Sequence, residues 1–208
     1  MSDDRSRIFA AIREALQPLQ SAGKASPYPD YEVGQLTSLP RLGAEESWQA
    51  FARNLAAVNG HAYEKIEECA AFLQEHGVTE GYCDPELIDR LREGLGSAFT
   101  LHPEFDRASL ERYSFGITKA SGIIVESGTI ILKDRGTSNR LGALAPWVHV
   151  AVLTEEAPIF STMSEALAEL GDDPNVIWVT GPSKTADVEG ILIEGVHGPG
   201  QQLCLHLS

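Results

Sequence analysis

The sequence predicts an α/β domain of three layers, with a largely parallel sheet between helices. Three observations carry that prediction. From Ala44 onward, helical and strand-like periodicities alternate along the chain. The contiguous apolar runs Ile123–Val125 and Val150–Leu153 suit strands buried on both faces. At 208 residues, with 43% hydrophobic and 22% charged residues, the chain has the composition of a globular protein and the length for one substantial core.

The elements follow in order. Asp3 or Asp4 caps a first helix whose Ile8, Ile12, Ala15 and Leu16 fall at helical spacing, and Pro18 is expected to end it. Gly23, Pro27, Pro29, Gly34 and Pro40 then mark an irregular arm, so residues 1–40 read as helix plus arm and 41–208 as a single α/β domain. Helices are predicted over Glu45–Val58, Tyr63–His76 (closed by Gly77) and Pro85–Glu93. Short strands fit Glu80–Cys83 and Ala98–Leu101, followed by two strands at Ile123–Val125 and Thr129–Ile131. A strand at Val148–Leu153, a helix at Met163–Leu170, a strand at Val176–Val179 and an edge strand at Leu203–Leu207 complete the set.

Charge and cysteine content narrow the function classes. Thirty acids against sixteen bases give a net charge of −14, which lacks the basic footprint needed for nucleic acid or an anionic membrane. A local anion pocket remains open, because backbone N–H groups build one without net charge. No apolar run reaches membrane-span length and the opening Met1–Arg5 has no signal-peptide form, so a cytoplasmic protein is expected. Cys69, Cys83 and Cys204 are too scattered for a C-x-x-C cluster, and no two histidines have helical i, i+4 spacing. No cofactor or metal is therefore expected on this chain.

Four polar constellations stand out. Glu126-Ser127-Gly128-Thr129 places a carboxylate at a turn between two strands, where it suits a general base, a nucleophile or a ligand contact, with Ser127 and Thr129 as hydroxyl partners. The same letters suit a capped hairpin whose acid accepts backbone N–H groups, and both readings stay open. Asp134 to Leu141 is a polar loop in which Arg135, Ser138 and Arg140 have the composition to hold a carboxylate or phosphate, or are simply solvated. His149, at the start of a strand, is expected to be a satisfied structural histidine. Thr180 to Asp187, with Ser183, Lys184 and Thr185 after a strand and a glycine turn, has the layout of an anion cradle leading into a helical turn, although it departs from the Walker pattern. Gly195 to Gly200 surrounds His197 with glycines, giving either a histidine aimed into a cleft or a tight turn before the last strand.

Taken together, Gly116-Ile117-Thr118, Glu126–Thr129, Thr180–Asp187 and Gly195–Gly200 resemble the lactate-utilisation C subunit family, whose shared module is the LUD domain. The resemblance implies a Rossmann-like sheet similar to that of the sugar-phosphate isomerase and CoA-transferase superfamily. It implies a role in bacterial oxidation of L-lactate to pyruvate beside iron–sulfur partner proteins, this chain being the cluster-free member. It also implies a catalytic role for Glu126, by analogy with related enzymes. The expected site is a cleft for a small anion built from Glu126, Ser138, Arg140, Ser183, Lys184, Thr185 and His197. An independent isomerase or acyl/CoA-transferase using Glu126, and a pure interaction module, are the alternatives.

Overall fold

A computed structural model describes residues 2–21, 42–134, 139–169, 171, 173, 175–186 and 191–207. The chain divides into two compact units, Met1–Ser38 and Leu39–Ser208. In the first, helix α1 spans Ser2–Ser21 and exposes Ile8, Phe9, Ile12 and Leu16. It runs through Pro18 rather than ending there, since a proline in the last turn removes only one helical hydrogen bond.

The second unit is α/β with a mainly parallel central sheet, as its alternating pattern predicts. Its elements are α2 (Ala44–Ala57), β1 (His61–Tyr63), α3 (Ile66–Glu75), β2 (Glu80–Cys83), α4 (Ile88–Leu95) and β3 (Thr100–His102). A 3-10 segment (Arg107–Arg112) precedes β4 (Phe115–Lys119), β5 (Gly122–Ile124), β6 (Thr129–Lys133), α5 (Arg140–Leu144) and β7 (Val148–Thr154). The chain continues through β8 (Ile159–Phe160), α6 (Met163–Glu169), β9 (Val176–Val179), β10 (Lys184–Ala186), β11 (Leu192–Glu194) and β12 (Gln201–Leu207).

Among the described residues the central sheet has six parallel strands in the order β1-β12-β7-β4-β2-β3. β12 is thus interior, not an edge: it pairs with β7 over its whole length and with β1 on its other side. β1 takes Tyr63, which the periodicity assigns to the start of a helix, together with His61 and Ala62, which it assigns to no element. His61, Ala62 and Tyr63 find ladder partners in Leu203, Cys204 and Leu205, and the helix begins only after Lys65, whose backbone is extended.

Each face of this sheet has its own core. Phe115, Ile117, Val148, Val150, Val152, Leu203 and Leu205 meet Cys69 and Leu73 of α3 and Leu91 and Leu95 of α4. On the other face Ala151, Leu153 and Cys204 meet Trp48, Phe51 and Leu55 of α2, Ala143 of α5, and Ile123, Ile130 and Leu132 of a second sheet. That second sheet has the order β8-β5-β6-β9 and is mixed, with β6 antiparallel to both β5 and β9. Ile124 and Ile131 on its far side pack with Ala166 of α6. The strands on either side of Glu126 therefore belong to a separate layer, and the second face of the central sheet is covered by a sheet as well as by helices. Cys69, Cys83 and Cys204 are free and buried.

Candidate functional site

α5 is the element that shapes the site. It is held close because β4 carries glycine at 116: a Cβ there would lie 1.7 Å from the Gly142 carbonyl oxygen. Asn139 caps the helix, its side-chain oxygen accepting the Leu141 N–H at 2.9 Å. α5 and β9 then flank an open cleft made of two adjoining cavities. One, of about 360 Å³, is lined by Val179, Thr180, Ser183, His197, Pro199 and Gln202, among others. The other, of about 620 Å³, is lined by Arg107, Asp134, Asn139, Arg140 and Leu141. Leu144 and Ile177 border both.

Arg140 approaches Asp134 with its Nε 3.0 Å from Oδ1, and Asn175 donates to the other carboxylate oxygen at 2.7 Å. The carboxylate orients the guanidinium through Nε, and among the described residues the remaining N–H donors stay available to a second oxygen ligand. Ser183 lies beside Gly198, where a Cβ would come within 3.5 Å of the serine hydroxyl. Arg140 lines the larger cavity, and Ser183 and His197 line the smaller. Ser138 lies outside the described residues, as do Arg135 and Asp187.

The other expected members are placed elsewhere. Glu126 sits on an exposed turn, and its Oε1 accepts the Met163 N–H at 2.6 Å. It completes the start of α6, where the Ser161 N–H donates to Glu165 and the Thr162 hydroxyl accepts from the Glu165 N–H. Three backbone donors that the helix cannot satisfy internally are bonded in this way. Removing that acceptor in Glu126→Ala is expected to cost about 1 kcal/mol in urea denaturation. An unchanged midpoint would show the contact to be idle.

Gly128 owes its place to packing. Its φ is +63°, and a Cβ would fall 2.3 Å from the Leu55 backbone nitrogen, so the turn is pressed onto the backbone of α2. Asn54 fastens the same contact by donating to the Val125 carbonyl at 2.7 Å. The Gly181 turn abuts the same helix at the Val58 carbonyl.

Lys184 reaches that end of α2 too, donating from Nζ to the Val58 carbonyl at 2.8 Å, with Glu194 3.7 Å away. A cation at a helix C-terminus complements the exposed carbonyls there. The residues after Ser183 form β10 rather than a helical turn, so the expected cradle at a helix N-terminus does not arise. Thr185 is a ladder residue opposite Ile193. Ser127 and Thr129 touch the cleft only indirectly, through a hydroxyl chain. Ser127 Oγ is 2.7 Å from Thr129 Oγ1, which is 2.7 Å from Thr180 Oγ1.

A polar network lies behind the cleft. His149, on β7, is fully buried, with Nδ1 2.8 Å from Gln202 Oε1 and Nε2 2.9 Å from Thr118 Oγ1. Gln202 Nε2 donates to the Leu203 carbonyl at 2.9 Å, which fixes which end of the amide is nitrogen. Oε1 is therefore the acceptor, His149 carries its proton on Nδ1, and Thr118 donates to Nε2. Burial pushes the imidazole pKa down to about 4, against a smaller upward effect of the Gln202 bond. His149 is the satisfied structural histidine that the sequence anticipates. Gln202 and Arg107 are the residues that sequence reasoning missed. Gln202 had a signal, a polar side chain at a position buried within an apolar strand, whereas Arg107 had none.

The Gly195–Gly200 segment has a further task. Its two end glycines lie against the Trp147 ring, each leaving room that a Cβ would fill. His197 is carried between them, exposed at the rim of the cleft.

The LUD domain family profile matches residues 38–205, most of the chain. The chain belongs to the LUD domain family. Proteins called lactate utilization protein C are similar to this LUD domain over part of their length. The one from Oceanobacillus iheyensis is 35% identical over 97 residues, 43% of this chain and 41% of that protein. The Deinococcus radiodurans protein is 34% identical over 102 residues, 47% and 48% of the two chains. The Exiguobacterium protein is 36% identical over 104 residues, 47% and 45%. These matches span less than half of the relatives' own length. The fold is also similar to that of a crystallised DUF162 family protein from Deinococcus radiodurans, with a TM-score of 0.57 at 22% identity, covering 81% of this LUD domain and 100% of that chain. Among the described residues no cluster of three His, Cys, Asp or Glu side chains is placed to hold a metal ion. No described helix is long and apolar enough to cross a membrane.

Proposed function

We propose that this LUD domain is a component of a lactate-utilisation system, carries no redox centre of its own, and binds a small carboxylate in the cleft of Arg140, Ser183 and His197. The observation that supports the reading is that the cavity lined by Arg140 and the cavity lined by Ser183 and His197 share Leu144 and Ile177 as a common border. The names of the similar proteins supply the metabolic context. Oxidation of a hydroxy acid needs an electron acceptor, which this reading places on other proteins. Iron–sulfur proteins in the cytoplasm are the partners this reading calls for.

In the cleft, Arg140 is the carboxylate anchor. Asp134 orients its guanidinium, and the Ser183 hydroxyl and His197 imidazole supply hydrogen bonds across the opening. Glu126 lines neither cavity, so the reading rests on Arg140 and not on a glutamate nucleophile.

Calorimetric titration of the isolated chain with L-lactate and pyruvate tests the assignment. Arg140→Gln is expected to weaken binding by about tenfold or more, because it removes a charge-assisted contact and leaves Asp134 facing the anion. Equal affinity in wild type and variant would move the site elsewhere, and lactate oxidation by the isolated chain would overturn the non-redox role.

A further inference from the structure

The two walls of the larger cavity change character in the same direction. On α5, Arg140 is the first residue and Leu144 the last, about 6 Å apart along the helix axis. On the other wall Asn175 holds the Asp134 carboxylate, and Ile177 and Val179 follow on the same face of β9, because alternate strand residues point the same way. Each wall runs from charged or polar to aliphatic. Leu144 and Ile177 border the smaller cavity as well, where Val179, Pro182 and Pro199 continue the apolar lining. Among the described residues His197 is the one ionisable side chain lining that smaller cavity.

A three-carbon acid accounts for neither the apolar surface nor the volume. Leu144 is 39% exposed although Ala143 beside it is buried in the core, so the helix turns one large aliphatic side chain out into the cleft. Leu141 and Ile177 are half-buried along the same cavity. The cavity measures about 620 Å³ before the adjoining 360 Å³ is added, within the range of pockets for drug-sized ligands, roughly 300–1,000 Å³. A carboxylate on Arg140 with only a methyl group behind it leaves those side chains facing water. Charge sets a limit in the other sense. Arg107 and Arg140 line the cavity together with Asp134, which is paired to Arg140, so the lining carries one net positive charge and suits a monoanion rather than a dianion.

We propose that the cleft selects monocarboxylates carrying a butyl-sized apolar chain over the three-carbon acids L-lactate and pyruvate. The carboxylate sits toward Arg140, and the chain runs along Leu144 and Ile177 towards the smaller cavity. The inference rests on the carboxylate-cleft reading above and names the class of acid that the site prefers. Leu144 and Ile177 are its specificity-determining residues.

Calorimetric titration of the full chain with pyruvate and 2-oxohexanoate, which share one head group and differ only in methylenes, tests the proposal. 2-Oxohexanoate is expected to bind about tenfold or more tightly, since each fully buried methylene contributes about fourfold and the cleft is open on one side. Leu144→Gln, close in volume at an exposed position, is expected to cut that gain to about threefold or less. The full gain in the variant would overturn the proposed path of the chain. 2-Oxoadipate, which replaces the terminal methyl by a second carboxylate, is expected to bind more weakly than 2-oxohexanoate. Tighter binding of the dicarboxylate would make Arg107 a second anion anchor and overturn the proposal. Equal affinity of wild type for pyruvate and 2-oxohexanoate would overturn it while leaving the carboxylate cleft standing. Binding of none of these acids would remove the cleft reading and this inference together.

Discussion

Gly116→Ala is expected to destabilise the protein by about 3 kcal/mol or more, the upper range for overpacking a close-packed interior. The added methyl would lie 1.7 Å from the carbonyl oxygen of Gly142 and 3.2 Å from the Pro146 ring. The nearest obstruction is backbone, so no rotamer change relieves it. β4 cannot retreat, since it is paired on one side with β2 and on the other with β7. α5 must therefore lift, taking Arg140 and Leu144 with it and widening the cleft from one wall. Loss of stability and loss of carboxylate affinity are expected together. Urea denaturation with a parallel ligand titration checks both, and a variant of wild-type stability would show that α5 does not sit on β4 as described.

The second large effect is acid destabilisation through His149. Its folded pKa of about 4 lies below the ordinary histidine value of 6.5, so the unfolded chain takes up a proton that the folded chain refuses between those two values. Stability then rises with pH across that window, and is lost as pH falls from 6.5 towards 4. The whole difference corresponds to about 3 kcal/mol, at roughly 1.4 kcal/mol for each unit of pKa displacement. Carboxylates add their own acid limb at lower pH, so the comparison should be made against His149→Gln, which cannot titrate. The wild type is expected to lose stability more steeply than this variant between pH 6.5 and 4, by one proton's worth of slope. Parallel curves would show that the imidazole protonates as readily in the folded chain as in the unfolded one.

The fold was legible wherever a segment's own periodicity decides its structure. β9 runs over Val176–Val179 as read from sequence, because its β-branched and aromatic residues admit little else, and β2 likewise runs over Glu80–Cys83 as read. It was illegible where a distant partner decides. His61–Tyr63 becomes a strand because β12 offers it a free edge, and nothing local to the segment contains that information. Phe115–Lys119 was not picked out, since its glycine lowers the strand signal and reflects the approach of α5 from another part of the chain.

The polar motifs divide along the same line. Sequence recognised that Glu126–Thr129, Thr180–Lys184 and Gly195–Gly200 are special, but letters cannot tell a loop that approaches a ligand from one that approaches a helix or a ring. Gly128 and Gly181 touch the α2 backbone, and Gly195 and Gly200 touch Trp147. Ser183 and His197 reach the cleft because they lie beside these packing glycines. Much of what makes the motifs recognisable is thus an imprint of helix docking. The residues that face the ligand space travel with it.

The three cysteines carry a separate consequence. Cys69 lies on α3, Cys83 on β2 and Cys204 on β12, and burial raises the first two thiols to about 12 and the third further still. At neutral pH the folded chain therefore offers essentially no thiolate to an oxidant or to a metal centre on another protein. The sulfur of this chain becomes reactive only when the layers themselves come apart.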